Sequence, residues 1–110
     1  MTQETRITSF KEFYPFYLAE HSNTTCRVLH YVGSSLVLAL LAYSLMTAQY
    51  SLLWLLPVVG YGFAWVGHFF YEHNRPATFQ YPFYSFASEW VMLAQAVTGT
   101  LPKEHFRKAQ

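Results

Sequence analysis

"RVLHYVGSSLVLALLAYSLMTAQYSLLWLLPVVGYGFAWVGHFFYE", residues 27–72, opens on an arginine and closes on a glutamate. The 44 residues between them hold no Asp, Glu, Lys or Arg. A bilayer core takes about 20 apolar residues per helix, so two spans fit inside this gap. "AQYS", 48–51, supplies a tight turn between them. The first helix is expected from Thr25 to about Thr47, apolar on all its faces as a lipid-surrounded helix is. The second covers "LLWLLPVVGYGFAWVGHFFYEH", 52–73, with Pro57 close to its start.

The flanks read as shorter helices. Ser9 followed by Glu12 has the form of a capping box. Phe10, Phe13, Tyr14, Tyr17 and Leu18 recur at helical spacing, so 9–20 reads as an amphipathic helix suited to the membrane interface. Pro15 is expected to kink or restart it. "HSNTTCR", 21–27, is a turn with N-cap candidates at Asn23 and Thr24, and it carries an Asn-x-Thr glycosylation pattern. Asn74 and Pro76 stop the second span, "PATFQYP" is a loop, and Phe83 to Leu101 is a third apolar segment whose single charge is Glu89. The expected fold is all-α: a membrane helical bundle with an N-terminal amphipathic helix, a two-helix transmembrane hairpin and a third apolar helix. Residues 1–110 form one domain, with 1–8 and 103–110 as flexible tails.

Composition narrows the function. Charged residues make up 12% of the chain, against about a quarter in a soluble domain. A net charge of +1 with no basic stripe excludes a nucleic-acid partner. Cys26 is the only cysteine, which excludes an intrachain disulfide and a Cys-only metal site. The N-terminal stretch has no apolar core of a cleavable signal peptide. Arg6, Lys11 and Arg27 precede the first span, so the positive-inside rule puts the N-terminus and Arg75 in the cytoplasm. A third helix that crossed would carry Lys103, Arg107 and Lys108 outside, against the rule. A homo-oligomer stays open.

A hairpin turning near Gln49 pairs residues whose numbers sum to about 98. His30 and His68 are such a pair, each roughly 25 Å from the turn at 1.5 Å per residue. They sit at one depth on neighbouring helices. Glu72 lies one turn beyond His68 on the same face, with Cys26 and Arg27 as its expected level neighbours. His21, in the preceding turn, folds over the same end. Neutral imidazole and carboxylate are ligands for iron, zinc or manganese, so the cluster is a candidate metal site. Its bland counterpart is a set of interfacial anchors. Haem ligation by His30 and His68 across the hairpin is a further alternative, and so is a structural or transport metal site in a non-enzymatic protein. His73 and His105 read as solvated. Arg75 reads as a headgroup or helix-end partner, or as a substrate clamp. Glu89 reads as a partner for a histidine N–H or as part of a wet helix face. Gly33 and Gly67, each within three residues of a histidine, allow close helix approach.

"FYPFYLAEHSNTTCRVLHYVGS" together with "WVGHFFYEHNRPATFQYPFYSFASEW" resembles the small bacterial members of the Mpo1-like family over roughly residues 10–95. The carrying motifs are His21 with the Arg27–x–x–His30 step, and the Gly67-His68…Glu72…Arg75-x-Ala77 run. The fungal enzyme of that family is an endoplasmic-reticulum membrane protein, an iron(II)-dependent dioxygenase that shortens 2-hydroxy fatty acids by one carbon. The resemblance implies Fe(II) held by His21, His30 and His68, with Glu72 as a further ligand or catalytic group, Arg75 as a catalytic residue and Glu89 behind a ligand. It also implies 2-hydroxy fatty acid and O2 as substrates, a lipid bilayer as partner, and residence in the bacterial inner membrane.

Overall fold

The computed structural model describes residues 6–106. Four α-helices follow in order: α1 (Phe10–Ala19), α2 (Thr24–Met46), α3 (Leu55–Val66) and α4 (Pro82–Thr98). A 3-10 stretch, Tyr50–Trp54, leads into α3, and a π-helical stretch, Gly67–Glu72, continues it. The all-α expectation holds.

Each helix starts where its chemistry allows. Ser9 caps α1 by accepting the Glu12 N–H at 3.2 Å. Asn23 caps α2 by accepting the Cys26 N–H at 3.0 Å. Such caps satisfy amide groups that the helix cannot bond internally. Pro57 falls in the first turn of α3 and Pro82 opens α4, where a missing N–H costs nothing. Pro15 is different, because it lies inside α1 and was expected to kink or restart it. The helix runs through as one element. Proline there removes one i→i−4 bond, and Phe13, Tyr17 and Leu18, all buried, hold the helix on both sides of the gap.

The hairpin forms as read. Gln49 donates its N–H to the Ser44 carbonyl at 2.9 Å, and Ala48 takes φ 55° to turn the chain. From there α2 and α3 pack along their length. Two glycines set how close they come. A Cβ on Gly33 would lie 2.8 Å from the Phe63 Cβ, and one on Gly67 would lie 3.0 Å from the Cys26 Sγ. Thr24–Met46 and Tyr50–Glu72 are each 23 residues, long and apolar enough to cross a bilayer. Their outer faces expose large apolar side chains: Met46, Trp54 and Val58 are 85%, 82% and 66% exposed. The α4 helix is shorter, with 17 residues, or about 26 Å against a hydrocarbon core of roughly 30 Å.

The core lies at one end of the hairpin, where Phe13, Tyr17 and Leu18 of α1 meet Ala77 and Met92. Tyr81 and Tyr84 pack tilted against Phe13 with ring centroids 5.1 and 5.4 Å away. The edges of the described chain are held as well. Arg6 donates to the Gln80 carbonyl at 2.7 Å, and Phe106 lies under the Arg27 guanidinium at 3.9 Å. The rest of the two tails expected to be flexible lies outside the described residues.

Gly33→Ala forces Phe63 to move, because the new Cβ would overlap its side chain. Overpacking of this kind costs about 1–3 kcal/mol. A lower melting temperature in detergent, with secondary structure retained, is the expected outcome.

Candidate metal centre

Three histidines from three different segments meet beside this core. His21 comes from the turn after α1, His30 from the early part of α2 and His68 from the π-helical stretch. They are 1%, 4% and 1% exposed. One ring nitrogen from each lies within 4.8 Å of the others. The ring centroids are 4.4, 4.4 and 5.0 Å apart, with the planes close to perpendicular.

The hydrogen bonds assign the tautomers. Every Nδ1 faces an oxygen that can accept: the Tyr17 carbonyl at 2.6 Å for His21, Glu89 Oε1 at 2.8 Å for His30, and Asn74 Oδ1 at 2.6 Å for His68. The Asn74 amide is oriented by its own Nδ2, which donates to the Glu20 carbonyl at 3.1 Å and to Glu20 Oε1 at 3.0 Å. Nδ1 therefore carries the proton in each ring, and each Nε2 is left as a bare lone pair.

Those lone pairs point at one another. His68 Nε2 and His21 Nε2 are 2.9 Å apart, and His30 Nε2 is buried with no hydrogen-bond partner. Two unprotonated nitrogens at that distance repel unless something positive lies between them. A proton is a poor answer, because burial, and then the neighbouring His30 and His68, push the His21 imidazole well below the ordinary histidine range. A metal ion answers the need. Histidine nitrogens bind such ions at about 2.0–2.1 Å, so nitrogens this close could share one. The donor set fits a divalent transition metal.

The supporting shell is continuous. Glu89 accepts from His30 and Ser34, and its Oε1 accepts the Tyr17 hydroxyl at 2.7 Å. Burial would raise its pKa, but the His30 imidazole and the hydrogen bonds from His30, Ser34 and Tyr17 outweigh that and hold it below the ordinary carboxylate value. Burial and the Glu89 carboxylate raise Tyr17 well above the usual phenol range, so it stays a donor. Arg27 clamps the His21 turn by donating to the His21 and Ser22 carbonyls at 2.8 and 2.9 Å.

Not every expected residue joins. Glu72 Oε1 accepts the Asn23 N–H at 2.6 Å, and Glu72 is not part of the three-histidine group. The second span ends level with the start of α2, whose exposed N–H groups and positive dipole end attract a carboxylate. Arg75 is exposed, with its guanidinium 5.1 Å from the Phe79 ring centre. His73 is exposed and left-handed, with φ 63°. The near-contact of His21 with both other rings leaves no room for a macrocycle between His30 and His68, so haem ligation is out. Tyr17, Ser34 and Asn74 were missed as partners of the site. Tyr17 is four residues before His21, a legible helical spacing. Asn74, six residues past His68, gave no periodic signal.

A cavity of about 380 Å³ adjoins the histidines between α2, α3 and the early turns of α4. His30, His68, Ser34, Tyr17, Ser85 and Glu89 line it, and the remainder is apolar and aromatic except for Thr78 and the polar tips of Tyr61, Trp65 and Trp90.

The profile described as "2-hydroxy-palmitic acid dioxygenase Mpo1-like" matches residues 7–101. The chain belongs to the Mpo1-like family. Neither the curated proteins nor the solved structures compared with it gave a match. The resemblance to the Mpo1-like family read from the two histidine motifs is therefore borne out at the level of the family, and both motifs lie in the matched segment.

Substituting His21, His30 or His68 by alanine is expected to remove stoichiometric metal from the purified protein, measured by elemental analysis. Glu89→Gln leaves the three ligands in place and weakens binding by about 10–100-fold, the usual effect of losing a group behind a ligand.

Proposed function

We propose that the chain is a membrane-embedded, iron(II)-dependent dioxygenase that shortens 2-hydroxy fatty acids by one carbon. The observation that carries this reading is the trio of unprotonated Nε2 atoms at the head of an apolar cavity, in a chain whose family is described by that activity. His21, His30 and His68 are assigned as the ligands. Three imidazoles suit several metals; iron is assigned because the reaction consumes dioxygen. Held by these three histidines, iron(II) would supply the redox chemistry that lets dioxygen react with the acid.

The reaction balances without another reductant. The C1–C2 bond breaks, C1 leaves as carbon dioxide and C2 becomes the new carboxyl carbon. Dioxygen takes four electrons and ends as the new carboxyl oxygen and water. The chain's own residues bind, orient and exclude water. The Tyr17 carbonyl, Glu89 and Asn74 keep each Nδ1 protonated and each Nε2 aimed inward. Glu89 adds one negative charge, so three neutral ligands and one carboxylate leave a dication half balanced. The carboxylate of the acid supplies the rest. The Ser85 hydroxyl is buried, has no partner and lies one turn before Glu89 on the cavity wall. It is placed to bond the polar head of the acid. The apolar walls hold the alkyl chain.

The bilayer is the natural source of such an acid. Two helices long enough to span and the large side chains exposed on them support an integral membrane protein, read as a bacterial inner-membrane member. Glu72 is assigned a positioning role, tying the end of the second span to the start of α2, and Arg75 a place outside the reacting centre.

Purified protein loaded with iron(II) is expected to convert 2-hydroxyhexadecanoic acid to pentadecanoic acid in the presence of oxygen. Bound iron with no product would return the site to a structural or transport role. Glu72→Gln should keep both metal and turnover within about three-fold, because its amide oxygen can still accept the Asn23 N–H. Loss of metal in that variant would restore Glu72 as a ligand.

A further inference from the structure

The cavity has an order that the family description does not contain. Its lining residues on the hairpin fall on facing rungs, one helical turn apart. His30 faces His68 at the head, and Ser34 faces Ala64 one turn on. Val37 and Leu38 then face Gly60 and Tyr61, and Leu41 faces Leu56 and Pro57. Each rung sums to about the same residue number, as the two ends of a level pair must. The contact across the third rung is direct, since a Cβ on Gly60 would lie 3.4 Å from Val37 Cγ2. Beyond the fourth rung, Ser44 is fully buried, its hydroxyl bonded to the Leu40 carbonyl at 2.7 Å, and it does not line the cavity.

Polarity changes in one direction along this ladder. The first rung is metal-ligating and the second half polar, while the last two carry no charge and, apart from the Tyr61 hydroxyl, no polar side-chain atom. The walls from α4, Ser85, Phe86, Glu89 and Trp90, stand together in a stretch that includes Glu89, the partner of His30. An amphiphile that places its head on the histidines must lay its tail along α2 and α3 toward the hairpin turn.

We infer that this ladder is a ruler for the acyl chain, with Gly60 as the position that sets how far the tail can enter and Leu41 and Leu56 as its far stop. The inference rests on the proposed reaction and deepens it. His30 to Leu41 and His68 to Pro57 are each eleven residues, or about 16.5 Å of helix. A zigzag chain built from ~1.5 Å bonds advances roughly 1.3 Å per methylene, so about 13 methylenes fit. With C1 and C2 at the histidines, the tail of an acid of about 15 carbons reaches the fourth rung.

Glycine at the third rung is what keeps the passage open. An alanine there makes only ordinary contact with Val37, so the backbone tolerates a side chain. A leucine extends into the cleft and shortens it to about two turns, or roughly 11 Å. That length admits about eight methylenes. Selectivity then comes from steric exclusion more than from transfer out of water, because lipid tails are as apolar as the cleft.

The test is a mixture of saturated 2-hydroxy acids from octanoic to icosanoic, presented in nanodiscs with iron-loaded wild type, G60L and the double variant L41A/L56A. Products are counted by mass spectrometry. Wild type is expected to favour acids near the hexadecanoic length. G60L should keep its metal and its turnover of 2-hydroxydecanoic acid but lose the hexadecanoic acid by at least about ten-fold, the lower end of what one misfitting methylene costs in a tight pocket. The double variant should move the upper limit toward longer acids. A metal-loaded G60L with the wild-type length profile overturns the ruler and leaves the reaction standing. If G60L loses its metal, the double variant decides by the same comparison, and an unshifted upper limit overturns the inference. If wild type makes no product from any acid, the reaction fails and binding decides the ruler. The same acids are then competed against a fluorescent fatty acid, and competition independent of length, or unchanged by either variant, overturns it.

Discussion

Everything around the site follows from one electrostatic constraint: three imidazole lone pairs are forced to face one another in a dry place. His68 Nε2 and His21 Nε2 are 2.9 Å apart, and His30 Nε2 has no partner. Left alone, the arrangement is repulsive and would relax by turning a ring. It persists because each ring is held from behind by an oxygen on a different segment. The backbone carbonyl of α1, the carboxylate of α4 and the amide of the loop after the second span each take one Nδ1–H. The fold is the device that keeps those three acceptors in place.

Their placement explains features that otherwise look incidental. The second span does not end as an α-helix. It widens into a π turn over Gly67–Glu72, and His73 adopts a left-handed conformation. The His68 carbonyl then accepts the N–H groups of both His73 and Asn74. Insertions of this kind often sit at functional sites. Here the extra residue and the reversed backbone bring Asn74 back beneath the ring of His68. Gly67 eases the approach, since an added Cβ would press on Cys26 at 3.0–3.3 Å.

The acidic residues divide by what surrounds them. Glu89 is half-buried on α4 among three donors, and it remains ionised because those donors exceed the cost of burial. Glu72 sits at the rim, where its Oε1 accepts the Asn23 N–H at the start of α2. Glu72 was a candidate from its spacing to His68, and Glu89 as the single charge of the third apolar segment. Spacing along one helix says which face a side chain shares, but not which neighbouring segment offers the better partner.

The sequence by itself determined the hairpin, because a gap of 44 uncharged residues leaves water-facing helices no surface to present. It also pointed to His30 and His68 as a level pair, because two helices joined by a short turn pair residues at equal distances from it, and the 3-10 and π stretches of the second arm leave the two rings 5.0 Å apart. The order and spacing of the two histidine motifs carried the family. Only the tertiary structure decided what completes the site. His21 reaches the other two through a turn whose path depends on Arg27 clamping its carbonyls. Asn74 reaches His68 through a break in helical period, and Tyr17 and Glu89 meet across α1 and α4, 72 residues apart. Periodicity reads contacts within an element, whereas these contacts form between elements and are settled by the packing of their ends.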